Sequence, residues 1–340
     1  MLPPKHAERA ERLSPAKRAL LERWKAARSN QKSSERSIQP RDPSRPAPLS
    51  FAQQRLWFLD QLSPGSPQYN IATALRLSGP LDAAVLERAL RMVIDRHESL
   101  RTAFRTDEGK PVQVILPECE FKLTTIALSA EQPEDLVRRQ LEIACDAALV
   151  EFDLTSPPLL NATLLKTATD EHTLLLTMHH IVSDGWSMAV LADEAAQCYQ
   201  AIAGNFEPAL APLSIQFADY AVWQREQITE NRETELLEYW TEKLHNAPPH
   251  LELPHDFPRP AAQTFEGAVE RCTISPELTR ALREYSRSQS ATLFMTLLAG
   301  FQVVLARYSG QHDVLVGSPI ANRTRSELER LIGFFANTLV

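Results

Sequence analysis

Two adjacent imidazoles, a carboxylate and a glycine fall within one short run, Met178-His179-His180-Ile181-Val182-Ser183-Asp184-Gly185-Trp186-Ser187-Met188. Imidazole titrates near neutrality, so a positioned histidine is the side chain best suited to accept or return a proton at physiological pH. A lone buried histidine is more often a satisfied core group than a catalyst. Here, however, a second histidine, an Asp and a Gly follow at a strand-to-helix junction, more than packing alone requires. A metal is the competing use of paired histidines. Neighbouring residues of a strand project to opposite faces, so His179 and His180 cannot readily share one ion, and no metal is expected.

The elements that must place these groups are legible around them. Thr173–Met178 is an apolar run of the kind a strand covered on both faces shows. Leu174, Leu176 and Met178 share the parity of His180; if the strand continues, His180 faces inward and His179 the other way. Downstream, Met188, Leu191, Ala195, Cys198 and Ile202 recur at helical spacing, with Ser183 or Asp184 as N-cap. Other strands are expected at Ile71–Leu77, Val112–Leu116 and Leu159–Leu165. Helices are expected to carry Leu86, Leu90, Val93 and His97, and to span Pro133–Leu149. After Trp240 the order echoes this: strand Val269–Ile274, helices Pro276–Gln289 and Leu293–Tyr308, then strand Val314–Val316. Strands mixed with helices predict sheets with helices packed on them.

The chain has 340 residues with ordinary apolar and charged fractions, enough for one large core or two lobes. It lacks a run of eighteen uncharged apolar residues and an apolar leader, so a cytoplasmic location is expected. Cys119, Cys145, Cys198 and Cys272 have no paired spacing, which predicts reduced core thiols rather than disulfides or zinc ligands. Residues 1–46 carry 12 Lys or Arg against 5 Asp or Glu, and the remainder 24 against 38. That basic head has few aromatics and no nucleic-acid motif, so nucleic acid is not the expected partner; basic arms attach to many acidic partners. Within it, Leu13, Leu20, Leu21, Trp24 and Ala27 form a helical stripe. Residues 29–48 are Ser, Arg, Gln and Pro rich and read as a flexible linker.

The pattern His-His-x-x-x-Asp-Gly at 179–185 resembles the signature of the condensation domains of nonribosomal peptide synthetases, within the chloramphenicol acetyltransferase-like superfamily. Four further segments resemble that family's signatures in order. They are Ser50–Leu59, Arg96–Phe104, Phe217–Trp223 with Phe217 where the family has Tyr, and Ile332–Leu339. The resemblance covers about Leu49 to Val340, and the family's last two signatures are absent. It implies an α/β (α+β) fold, a two-lobe pseudo-dimer in which each lobe is a mixed sheet with helices. The expected division is a docking segment at 1–28, the linker at 29–48, an N-terminal lobe at 49–225 and a C-terminal lobe at 226–340. Because Val340 falls inside a β-rich run, the second lobe is expected to be incomplete.

The implied reaction is attack of the α-amine of one carrier-bound aminoacyl group on the thioester of another. His180 is then the candidate catalytic residue, as general base or as positioning group, with the oxyanion met by His180 or by amides near the helix start. His179, Asp184 and Gly185 would shape the site, Gly185 by leaving room for the thioester arm. By the same resemblance Arg323, in Gly317–Arg323, would pair with Asp184. Arg55, Arg96 and Arg101 are expected to satisfy carbonyls or carboxylates, and Trp57, Phe58, Trp223 and Phe334 to anchor core or lobe contacts. Implied partners are donor and acceptor carrier domains, an adenylation domain, and an upstream synthetase met through residues 1–28. Neither nucleic acid nor membrane is among them. Phosphopantetheine belongs to the carriers, so no cofactor is expected on this chain. Departures from epimerisation and cyclisation members leave a peptide-bond-forming subtype, closest to those joining an L donor to an L acceptor. Two other readings stay open, a truncated noncatalytic carrier-binding module and a stand-alone CoA-dependent acyltransferase.

Overall fold

The central strand of the main sheet is the one that ends at the histidines. In the computed structural model, which describes residues 37–128, 132–258, 260–261 and 267–340, this sheet holds four strands. They are β2 (Asn70–Ser78), β5 (Thr124–Ala127), β6 (Leu160–Ala168) and β7 (Glu171–His179), in the order β2-β7-β6-β5. β7 runs antiparallel to both neighbours, and β5 joins β6 in parallel. Residues 174–179 of β7 are all buried, which is why its sequence is a continuous apolar run rather than an alternation. β2, at an edge, alternates between half-buried and exposed.

Two helices cover one face of the core. α2 (Ala83–Arg96) is capped by Asp82, whose carboxylate accepts from the Ala84 and Val85 amides at 2.8 and 3.2 Å. It buries Leu86, Ala89, Leu90, Val93 and Ile94, each large aliphatic side chain contributing about 1.5–3 kcal/mol. α4 (Gly185–Ala203) packs beside it through Leu191, Ala195 and Cys198. α1 (Phe51–Leu62) starts at Ser50 with a reciprocal capping box to Gln53. α3 (Pro133–Ala148) lies against β2, β6 and β7. A second sheet, β1-β4-β3, is formed by Ala47–Pro48, Lys110–Ile115 and Thr102–Asp107.

The later part of the chain is different. α5 (Phe217–Gln227) buries Phe217, Ala218 and Tyr220, but α6 (Glu230–Lys243), α7 (Pro276–Ser288) and α8 (Leu293–Ser309) bury almost nothing. On α8, Phe294, Phe301 and Val303 are 61, 52 and 58 % exposed. β8 (Ser318–Ile320) and β9 (Asn337–Leu339) form a separate antiparallel pair.

The strands expected at Ile71–Leu77, Leu159–Leu165 and Thr173–Met178 are β2, β6 and β7, and the expected helices are α2, α3, α4, α7 and α8. Two expected strands are corrected. Val269–Ile274 has no ladder partner among the described residues and Val269 is 82 % exposed, so its alternation has nothing to pair with. Val314–Val316 is likewise unpaired, and the strand there is β8, starting two residues later. The basic helix at 13–27 and the docking segment at 1–28 lie outside the described residues. Of the four cysteines only Cys198 is in the core; Cys145 and Cys272 are exposed and Cys119 half-buried. Among the described residues no single helix is long and apolar enough to cross a membrane, although α7 and α8 together pass by composition as a pair bent by 103°.

Candidate active site

β7 delivers its two histidines to different surroundings. The β2 ladder ends at the pair Asn70 and His179, so residue 180 has no strand partner there. The chain instead turns. His179 Nδ1 accepts the Ile181 amide at 3.1 Å, and His180–Val182 form one turn of 3₁₀ helix. The parity expectation therefore fails: His179 is the buried one, 3 % exposed, while His180 is half-buried at the end of the sheet. Burial, assisted by the neighbouring His180, lowers the His179 pKa to about 4. Its ring is neutral near pH 7 with the proton on Nε2, and it meets Phe152 edge-on at 6.3 Å.

The His180 ring is fixed from two sides. Nδ1 lies 2.7 Å from the Ser183 carbonyl, which only accepts, so the proton of the neutral ring sits on Nδ1 and Nε2 keeps its lone pair. The Phe334 ring packs against the imidazole with centroids 4.4 Å apart.

Asp184, rather than Ser183, caps α4. Its Oδ1 accepts from the Ser187 amide at 2.8 Å and the Ser187 hydroxyl at 2.7 Å, and its Oδ2 from the Phe335 amide at 3.1 Å. The structure places Arg323 Nη2 3.1 Å from the same Oδ1, with the two side chains 1 and 4 % exposed. Arg323 Nη1 donates to the carbonyls of Leu328 and Leu331, and the guanidinium lies 4.0 Å over the Phe335 ring. Burial lowers the Arg323 pKa, and the Asp184 charge and hydrogen bond oppose that. Gly185, the first residue of α4, is exposed, and a Cβ there would meet nothing within 4 Å. All five expected site residues thus lie at one junction, the end of β7 and the start of α4, with Arg323 brought to it from 138 residues past Gly185.

A model of the Condensation domain matches residues 44–340. This chain belongs to the condensation-domain family. It is 48 % identical over 322 residues to a linear gramicidin synthase of Brevibacillus parabrevis, covering 94 % of this chain and 6 % of that protein. Among solved structures, it resembles the first condensation domain of the CDA synthetase with a TM-score of 0.72 at 26 % identity, covering 87 % of this chain and 70 % of that one. The X-domain in the complex of that domain with OxyB from teicoplanin biosynthesis gives 0.78 at 30 % identity, covering 90 and 66 %. The chain therefore spans a small part of the synthetase it matches and about two thirds of the solved domains. The fold is the chloramphenicol acetyltransferase-like mixed α/β fold of those domains.

In this condensation domain the other signature segments meet around residues 331–335. Ser187 Oγ accepts the Gly333 amide at 3.1 Å and Arg323 Nη2 at 2.8 Å, and lies 2.9 Å from the Gly333 carbonyl. Ser99 Oγ donates to the Ile332 carbonyl at 2.8 Å. Arg41 pairs with Glu98 at 2.8 Å and Asp219 at 3.0 Å, so within the stretch 29–48 expected as linker, residues 41–48 are already held. Arg101 donates to the carbonyls of Ile94, Asp95, Leu116 and Pro117, and Arg96 to Glu194 and the Ala211 carbonyl. Arg55 is exposed and lines a cavity of about 290 Å³ with Tyr220, Asn322 and Phe334. Phe58 is 56 % exposed, not a core anchor, whereas Phe334 is 4 % exposed and joins the main core. Ser187, Ser99 and Gly333 are not readable from the sequence as parts of the site, because what joins them to it, the Arg323 side chain and the backbone bonds to residues 332 and 333, comes from segments far apart in the chain. Among the described residues no three His, Cys, Asp or Glu side chains are grouped to hold a metal.

Gly333 shows how tightly this segment is seated. A Cβ there would lie 2.0 Å from Cδ2 of Phe217, whose ring also packs edge-on against Phe335 at 4.9 Å. Gly333→Ala is expected to destabilise the domain by about 1–3 kcal/mol, as overpacking does. Chemical denaturation checks it; an unchanged midpoint would show that the Phe217 ring moves freely aside.

Proposed function

We propose that this chain is the catalytic part of a peptide-bond-forming condensation domain, in which His180 assists attack of an acceptor α-amine on a donor thioester. The supporting observation is the His180 tautomer. With Nδ1–H committed to Ser183, the Nε2 lone pair is the group left to take the amine proton. An α-ammonium with a pKa of about 8 is mostly protonated at pH 7, so the site must receive the free amine or remove its proton during attack. The new C–N bond replaces the C–S bond, and the donor carrier leaves as a thiol. Asp184 and Arg323 hold the loop and helix start, and His179, neutral and buried, holds the turn that presents His180. Gly185 leaves open space at the start of α4, where a thioester arm would pass.

We read the donor and acceptor as L-configured aminoacyl or peptidyl groups carried on phosphopantetheine, with carrier and adenylation domains as neighbours and the cytoplasm as the location. Residues 49–225 serve as the first lobe and 226–340 as part of a second. The exposed apolar side chains of α8 support further packing on that lobe. Residues 1–28 serve to recruit an upstream synthetase. Deleting residues 1–28, which leaves Arg41 and its pairs with Glu98 and Asp219 in place, is then expected to weaken delivery from a separate donor protein several-fold while the body stays folded; undiminished delivery in competition with the intact protein would count against that role.

The deciding experiment supplies a donor aminoacyl carrier and an acceptor aminoacyl carrier and detects the dipeptidyl thioester by mass spectrometry. Product from acyl-CoA and a free amine instead would favour the stand-alone acyltransferase. Carrier binding without product would favour a noncatalytic module, a reading encouraged by the similarity to the X-domain found in complex with OxyB.

A further inference from the structure

Below the site lies a buried carboxylate–imidazole pair that the reaction does not touch. Glu194 of α4 is 0 % exposed and His97, at the end of α2, is 1 % exposed. The His97 Nε2 and Glu194 Oε2 are 2.8 Å apart, and Arg96 Nε reaches the same oxygen at 3.1 Å. Glu194 Oε1 has no hydrogen-bond partner. A buried carboxylate with an unsatisfied oxygen costs stability relative to an apolar residue, so its presence calls for another use.

That use is visible on the other side of the His97 ring. A carboxylate oxygen accepts, so Nε2 carries the proton and Nδ1 is left as an acceptor; it receives the Ile332 amide at 3.4 Å. Burial lowers the His97 pKa, the Glu194 hydrogen bond and charge opposing it. For Glu194, burial would raise the pKa, but His97 and Arg96 outweigh it and lower it. The ring is therefore neutral and the carboxylate charged, which is the combination this hydrogen-bond chain needs. Ile332 is held at both its amide, by His97, and its carbonyl, by Ser99, two residues before the Phe334 ring that packs on His180.

We propose that Glu194 and His97 form a positioning pair for the His180 ring, acting through the backbone of Ile332 and the Phe334 side chain. Glu194 selects the His97 tautomer, His97 fixes Ile332, and Phe334 in turn limits the rotation of the imidazole. The pair touches neither substrate nor reacting atoms. This inference rests on the proposed role of His180 for its kinetic arm only.

Two substitutions separate positioning from packing. In His97→Asn the amide oxygen sits near the former Nδ1 and still accepts from Ile332, but the side chain falls short of Glu194. In His97→Gln the amide group reaches Glu194 and fills more of the volume, yet leaves Ile332 without its acceptor. Both are made in the full-length protein and compared for condensation between carrier-bound substrates and for the rate at which diethyl pyrocarbonate carbethoxylates His180, read by tandem mass spectrometry. Expected for Asn is kcat within about threefold of the parent, and for Gln a fall of about 10- to 100-fold with KM little changed, since displacement of about 1 Å costs on that order. His180 should be modified several-fold faster in Gln than in Asn, while the buried His172 stays protected in both. Gln equal to or better than Asn, or equal His180 modification in the two, overturns the proposal. The modification arm needs no substrate, so it stands or falls independently of the reaction assigned to the site. If His97→Gln exposes His172 as well, Phe334→Leu replaces it, with faster His180 modification expected and an unchanged rate overturning the proposal.

Discussion

His180→Ala is expected to lower the rate of amide formation between carrier-bound substrates by about 10²–10⁴, the range that a general base contributes. The geometry explains why this residue, and not His179, carries the effect. His179 is buried, and its Nδ1 is occupied by the Ile181 amide. His180 is half-buried, with Nδ1 committed to Ser183 and Nε2 retaining its lone pair. Orientation of amine and thioester can supply an effective molarity of about 10⁵ M or more, so part of the loss in Ala belongs to positioning. His180→Gln distinguishes the two contributions, because its amide oxygen can accept a hydrogen bond near the position of Nε2 but cannot hold a proton. Single-turnover rates with saturating carriers make the comparison. Gln well above Ala assigns most of the effect to orientation, and Gln equal to Ala assigns it to proton transfer. A folded His180→Ala protein that condenses at the parent rate would remove His180 from the mechanism.

The second large effect is expected at Arg323. Arg323→Met keeps most of the apolar stem but leaves Asp184, 2 % exposed, without its cation. Breaking a buried pair from one side costs about 3–5 kcal/mol, because the remaining charge is uncompensated. Arg323 also donates to the Leu328 and Leu331 carbonyls and to Ser187, so its loss frees the segment that carries Phe334. Activity should fall with stability. The diagnostic is the double variant Asp184→Asn with Arg323→Met, which removes the stranded charge and should be more stable than Arg323→Met alone, a coupling that contacting residues show. Urea unfolding of both proteins measures it. An Arg323→Met protein within about 0.5 kcal/mol of the parent would mean that the Asp184–Arg323 pair does not hold the fold, contrary to its burial and geometry.

The two cases show different degrees of legibility in the sequence. The strand β7, the helix α4 and the Asp184 cap follow from local rules: an apolar run, helical spacing and a short acceptor side chain before a first turn. The same holds for α2, whose stripe of Leu86, Leu90 and Val93 and cap at Asp82 are readable without any partner. The histidine parity was not readable in this way. It depended on where the β2 ladder stops, and a hydrogen bond from Ile181 to His179 turned the chain one residue before the alternation would have reached His180. Val269–Ile274 failed for a related reason, since alternation proposes a strand but only a neighbouring strand satisfies its backbone.

By itself the sequence determined the chemical inventory and its local setting: paired histidines, the Asp-Gly helix start, and the ordered segments that resemble a condensation domain. The tertiary structure decided which histidine keeps a free lone pair, that Ser187 and Ser99 seize the backbone at Ile332 and Gly333, and that a buried Glu194 and His97 stand behind them. Apart from the Glu194–His97 bond itself, these contacts join residues as much as 235 positions apart through main-chain amides and carbonyls that almost every residue possesses. A side-chain alphabet records no preference for a distant peptide group, so such bonds exist only once the core has brought the two segments together.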